Sequence, residues 1–222
     1  MNITPEFLSK YPLLEMLSEK ELLQIAPHVR TQLINKGAIL YLQGETSDKL
    51  FFVIEGWFKA EKIAVDGRQT TLRFIGPGEL INELAVFSKV ENAVSVIAMV
   101  EGQVFYLLQS YVEQLLKTNP KFSRAVIESM AVRIQNLLEQ IGDLSFHTVD
   151  VRLARFLLLQ TEDNVWDRQM WVTQTEIAAR LGTVLDVVNR NLQKFVRDGL
   201  IEIQRDKITV VDRKGLEKIA HG

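Results

Sequence analysis

The sequence predicts an α+β chain in three parts: a β-roll behind short helices, one long helix, and a helix-turn-helix with a β wing. Three observations predict it. Between Thr31 and Leu108, short apolar runs are cut by glycine at 37, 44, 56, 67, 76, 78 and 102. From Ile127 to Leu144, apolar residues recur at alternating spacings of 3 and 4. Around Leu181-Gly182-Thr183 two helical patterns meet, and two β-prone runs follow. The predicted boundaries are 1–118, 119–147 and 148–222.

Residues 1–30 carry helical patterns at Thr4-Pro5-Glu6-Phe7-Leu8 and from Ser18, where Glu21 completes a capping box. The glycine-punctuated stretch reads as regularly spaced short strands, with Asp66-Gly67 as a hairpin turn, and so as a roll or barrel. Ser110 to Lys117 reads as one helix, and Pro120 opens a longer one that runs to about Ser145. Its stripe is Ile127, Met130, Ile134, Leu137, Ile141 and Leu144, with Ile at each a position and Leu or Met at each d. That choice favours two parallel strands, hence a homodimer. The alternative is a helix packed on its own core. Helical patterns then cover 148–160, 173–181 and 184–198, and the β-prone runs 200–203 and 207–211 flank Arg205-Asp206. Residues 161–170 are polar and read as an exposed loop.

Composition narrows the function. The 222 residues carry a net charge of −2, and no cysteine is present. Disulfides, thiolate metal sites and cysteine-held iron–sulfur clusters are therefore excluded. No basic-then-apolar leader opens the chain, and no apolar run approaches the ~20 residues of a membrane span, so a cytoplasmic protein with no membrane contact is expected. No Walker loop, dinucleotide fingerprint or nucleophile elbow occurs, and an enzyme is not expected. Glu83, the one candidate catalytic acid, reads better as a hydrogen-bond partner.

In the helix-turn-helix, Thr173 is the expected N-cap with Glu176 three residues on, and Gly182 supplies the positive φ that ends the first helix. Thr183 is expected to cap the second helix. Val184, Val188, Leu192, Phe195 and Val196 are expected inside. Leu185, Asp186, Asn189, Arg190, Gln193, Lys194 and Arg197 are left on the other face. Donors gathered on one side of a helix suit the major groove of double-stranded DNA.

The run Thr175-Glu176-Ile177-Ala178-Ala179-Arg180-Leu181-Gly182 through Leu192 resembles the helix-turn-helix of the CRP/FNR transcription regulators. Leu50 to Lys59 is similar to that family's roll strand and glycine turn, and Gly76 to Phe87 to its effector-pocket segment. The three matches stand in the family's order. The resemblance implies a cyclic-nucleotide-binding-like roll (a double-stranded β-helix), and a recognition helix at 184–198. The family reads DNA with an Arg, a Glu and a second Arg; the matching positions here are Leu185, Asp186 and Arg190. Only Arg190 is retained, so it is expected to read a base edge, guanine first, with Asn189 and Gln193 assisting. Leu185 suits a thymine methyl. Thr173, Gln174, Lys194, Arg205 and Lys207 are expected on phosphates.

By the same resemblance, the effector site comprises Arg73, Asn82, Glu83, Leu84, Asn92, Ala93, Leu137 and Leu138. Asn82-Glu83 stands where the cyclic-nucleotide branch has Gly-Glu, and Asn92-Ala93 where it has Arg-Ser. The phosphate's cation and hydroxyl are both missing, and the base-facing helix positions, Leu137 and Leu138, carry no hydroxyl. Cyclic AMP is not expected, although Lys89 or Arg73 could supply a displaced cation. His28, His147 and His221 fall outside the roll positions that could ligate haem. No cofactor is expected. An unknown small-molecule effector and an empty vestigial pocket both stay open. The expected protein is thus a dimeric regulator of a pseudo-palindromic operator, with a hinge between Gly142 and Asp150. RNA polymerase would be a partner if it activates. The rival is a ligand-sensing roll with weak or lost DNA binding.

Overall fold

Prolines set the first turns of the chain. Pro5 and Pro12 open α1 (Pro5–Leu8) and α2 (Pro12–Glu15), where a missing N–H is no loss. Ser18 caps α3 (Glu19–Ile25) through the expected box: its N–H donates to Glu21 Oε2 at 2.7 Å and its hydroxyl accepts from the Glu21 N–H. A 3₁₀ turn, Ala26–His28, leads into the strands. The coordinates are a computed structural model that describes residues 3–64, 69–167 and 172–221. The expected Asp66-Gly67 turn lies outside the described residues.

The chain divides into two units, Met1–Gln135 and Asn136–Gly222. Among its described residues the first holds eight strands: β1 (Arg30–Ile34), β2 (Ile39–Tyr41), β3 (Lys49–Glu55), β4 (Phe58–Ile63), β5 (Gln69–Ile75), β6 (Leu80–Ile81), β7 (Ser95–Ala98) and β8 (Gly102–Leu108), with α4 (Glu83–Ser88) between β6 and β7. They form two antiparallel sheets, ordered β1-β8-β3-β6 and β2-β7-β4-β5.

Strand alternation divides the core in two. In β3 and β8, Leu50, Phe52, Phe105 and Leu107 pack with Leu8, Tyr11, Leu14 and Phe122 of the flanking helices. Phe51, Val53 and Val104 point the other way, to Phe58, Ile75 and Val96 between the sheets. Period-2 alternation thus buries both faces of these strands. Phe52 stacks on Phe105 with centroids 4.5 Å apart, and Tyr11 meets both rings edge-on. Gly56 takes φ +88, and a Cβ there would stand 2.6 Å from Gly102 Cα. Only glycine permits that approach.

Two helices follow, α5 (Gln109–Thr118) and α6 (Pro120–Phe146). The second unit holds the end of α6, then α7 (Val149–Gln160), β9 (Val165–Asp167), α8 (Gln174–Arg180), α9 (Leu185–Arg197), β10 (Ile201–Ile203), β11 (Lys207–Val210) and α10 (Arg213–His221). Its sheet is ordered β10-β11-β9. The expected loop at 161–170 is therefore corrected. Asp163 and Asn164 turn the chain at positive φ, and Val165–Asp167 pairs with β11. Trp166 is buried, edge-on to Phe156 at 5.4 Å. One tryptophan gains more from burial than its polar neighbours lose by following it. No described helix is long and apolar enough to cross a membrane.

Candidate nucleic-acid interface and effector site

Thr173 caps α8 as expected, its Oγ1 accepting from the Glu176 N–H at 3.2 Å. Gly182 takes φ +62, and the Thr183 N–H returns to Ala178 O at 3.0 Å. That closure consumes the Thr183 backbone in ending α8. Thr183 is consequently not the cap of α9; Val184 holds that place with no side-chain bond. Val188, Leu192 and Phe195, spaced by 4 and 3, bury the inner face of α9. Val184 and Val196, expected inside, are exposed: Val184 precedes the helix, and Val196 lies one residue, about 100°, off the stripe.

The outer face presents Leu185, Asp186, Arg190, Gln193, Lys194 and Arg197, all exposed. Asp186 sits in the first turn and Lys194 and Arg197 in the last, which suits the helix dipole. Asn189 is half-buried, and its Oδ1 has no partner among the described residues. Lys194 Nζ lies 3.6 Å from Asp150 Oδ2.

The end of α6 is tied to this head by hydrogen bonds and charge. Arg155 bridges Asp143 and the Ala220 carbonyl. Arg152 donates to His147 O at 2.8 Å and to Leu181 O at 2.9 Å. Burial pushes the Arg180 guanidinium below its ordinary range, and Asp143 opposes that push. His147 Nε2 lies 3.9 Å from Asp143 Oδ1.

In the roll, Glu83 is buried at the start of α4. Its Oε1 lies 2.5 Å from Arg133 Nη1 and 3.4 Å from Arg73 Nη2. Arg73 also donates to the Leu80 carbonyl and lies 3.5 Å from Glu79. Tyr41 joins them. Burial first, and Glu83 second, push its hydroxyl well above the ordinary phenol range. Asn82 takes φ +73, and its amide donates to Ser47 O and Lys49 O. An asparagine therefore fills a left-handed position in which glycine is ordinarily favoured. Asn92 is buried, with Nδ2 on Leu42 O at 3.0 Å and Oδ1 unpartnered among the described residues.

A model of the cyclic nucleotide-binding domain matches residues 31–119, and one of the Crp-like helix-turn-helix domain matches 151–219. The chain belongs to the CRP/FNR family of transcription regulators. A CRP-like cAMP-activated global transcriptional regulator of Mycobacterium tuberculosis is 26% identical over 191 residues, 83% of this chain and 85% of that protein. The cyclic AMP receptor protein of Thermus thermophilus is 24% identical over 211 residues, 95% and 97% of the two chains. The solved structure of FixK2 from Bradyrhizobium japonicum shares the fold, with a TM-score of 0.76 at 19% identity over 86% of this chain and 96% of that one. This chain is a transcription regulator with a DNA-binding helix-turn-helix, and not an enzyme.

In this regulator the expected reading residues share one face of α9, while Thr173 and Gln174 begin α8 and Arg205 and Lys207 stand at the wing turn. Of the expected effector residues, Arg73 and Glu83 meet. Leu84 is exposed, Ala93 follows Asn92 in the loop before β7, and Leu137 and Leu138 are exposed on α6. Met130 packs in part against the first unit's core. The sequence reading missed Arg133 and Tyr41. Arg133 stands one helical turn before Leu137, which is the signal that could have found it.

Proposed function

We propose that this CRP/FNR regulator acts as a parallel homodimer joined along Ile127, Met130, Ile134, Leu137, Ile141 and Leu144. One observation carries it. Ile127, Ile134, Ile141 and Leu144 are 68%, 58%, 59% and 46% exposed, a continuous apolar stripe on one helix. Monomeric proteins rarely leave such a stripe in water. Pairing it with a second copy sets two α9 helices about 34 Å apart, in successive major grooves of a pseudo-palindromic operator. The working division is a roll (1–118), a dimerisation helix and hinge (119–147) and a DNA-binding domain (148–222).

On each half-site, Arg190 reads guanine, Leu185 touches a thymine methyl, and Asn189 and Gln193 assist. Thr173, Gln174, Lys194, Arg205 and Lys207 bind phosphates. The roll binds a small effector other than cyclic AMP. Neutral Asn92 stands where the relatives' cyclic phosphate would need a cation, and burying that charge unpaired costs several kcal/mol. The regulator works in the cytoplasm, and meets RNA polymerase where it activates.

Sedimentation equilibrium and selection from a random duplex pool test this reading. A mass of two chains and an enriched inverted repeat are expected. A single-chain mass at micromolar concentration, or enrichment of one unrepeated half-site, would overturn it.

A further inference from the structure

Arg190, Lys194 and Arg197 are the cations on the outer face of α9. Among the described residues, only Lys194 of these has a carboxylate partner, Asp150, with Nζ 3.6 Å from Oδ2. Asp150 lies in the first turn of α7, just after the chain leaves α6. Its other oxygen is fixed from within that turn. Thr148 precedes α7 with no side-chain bond to the backbone. Its hydroxyl donates instead to Asp150 Oδ1, which also accepts from the Val151 N–H at 3.1 Å. The Thr148 hydroxyl first, and then Val151 and Lys194, hold the Asp150 carboxyl below its ordinary range against the opposing push of burial. Asp150 is therefore an anion whose place does not depend on Lys194. Lys194 is half-exposed on a flexible stem, and is the partner that can leave.

We propose that Asp150 stands in for a DNA phosphate: it holds Lys194 in the free protein and competes with the duplex for it. The inference rests on the reading of Lys194 as a phosphate contact. A lysine ammonium is a compact point charge that pairs with a carboxylate or with a phosphate oxygen. Binding the duplex breaks the first pair to make the second, and leaves Asp150 beside a polyanion without its counter-charge. Like charges so placed repel. The effect is blind to sequence, because phosphate contacts position the protein and carry no base information. Asp150 thus lowers affinity for every duplex and leaves the base reading by Arg190 untouched. It restrains the backbone grip that supplies non-specific binding.

Asp150→Asn in the full chain is the test, because it removes the charge and keeps an Oδ1 acceptor for Thr148 and Val151. Mobility shifts are read on the selected operator and on an unrelated duplex, each at low and at high salt. Affinity should rise about two- to fivefold per half-site on both duplexes, and the gain should shrink as salt rises. In a Lys194→Ala background the same substitution should gain much less, since no cation is left to release. Asp150→Ser, which keeps a short acceptor at the helix start, should repeat the gain if Asp150→Asn does not fold. A loss of affinity would make Asp150 a residue that positions Lys194 for the duplex, and overturns the competition. So does unchanged affinity, a gain confined to the operator, or a gain undiminished in Lys194→Ala. The Lys194→Ala chain keeps the two readings apart. Weaker binding there without a gain in Asp150→Asn sinks the competition alone, whereas unchanged binding there sinks the reading of Lys194 and the competition with it.

Discussion

Leu144 Cδ2 lies 3.0 Å from where a Cβ on Gly182 would stand. Leu144 ends the apolar stripe of α6, and Gly182 is the turn of the helix-turn-helix at φ +62. One side chain thus belongs to the exposed apolar stripe and also meets the bend between α8 and α9. Gly182→Ala should destabilise the full chain by about 1–2 kcal/mol, because a left-handed alanine is strained. Denaturant unfolding checks it. In a Leu144→Ala background the steric part should vanish and the backbone part remain. An unchanged midpoint for Gly182→Ala would show that the turn does not need glycine.

Ile141 is exposed in the single chain, so Ile141→Asp should leave the fold of each subunit unchanged. In the dimer it would bury a carboxylate in an apolar seam. Dimer affinity should fall by about 3 kcal/mol or more, over about a hundredfold. Sedimentation equilibrium reads this directly, and an unshifted dimer would place the seam elsewhere.

Arg190→Ala should cost about 1–3 kcal/mol on the selected operator and relax preference at one base position. A mobility-shift series over single-base variants tests it. Lys194→Ala should weaken every duplex alike and flatten the salt dependence by about one ion. A sequence-selective loss for Lys194→Ala would reverse the two roles.

Glu21 gives a pH prediction. The Ser18 hydroxyl and then the Ser18 N–H hold its carboxyl down at about 2, with smaller help from Asn119 and Lys121. Its folded pKa is lower than its unfolded one. The stabilisation is therefore complete above the ordinary carboxylate range and is lost as pH falls through the folded value. The stability gap between the native chain and Glu21→Gln should shrink steadily from about pH 5 to about pH 2. A pH-independent gap would assign the effect to shape rather than charge.

Much of the architecture was legible because its signals are local. Glycine spacing marked the roll, and Ser18-Glu21 and Thr173-Glu176 marked helix starts through bonds that span three residues. Hydrophobic period marked α6 and the inner face of α9. The errors share a cause. Thr183 looked like a cap until the Gly182 turn used its backbone, and Trp166 sat in a polar run whose pairing partner, Ile208, is 42 positions away.

Chain order and periodicity alone established the three-part plan and the exposed faces of α6 and α9, since each depends on residues within a few positions of one another. The convergence of Arg73, Glu83, Arg133 and Tyr41 depended on the fold. Those residues come from β5, α4, α6 and β2, and only sheet packing brings such distant charges close enough for Coulomb attraction to exceed the cost of burying them.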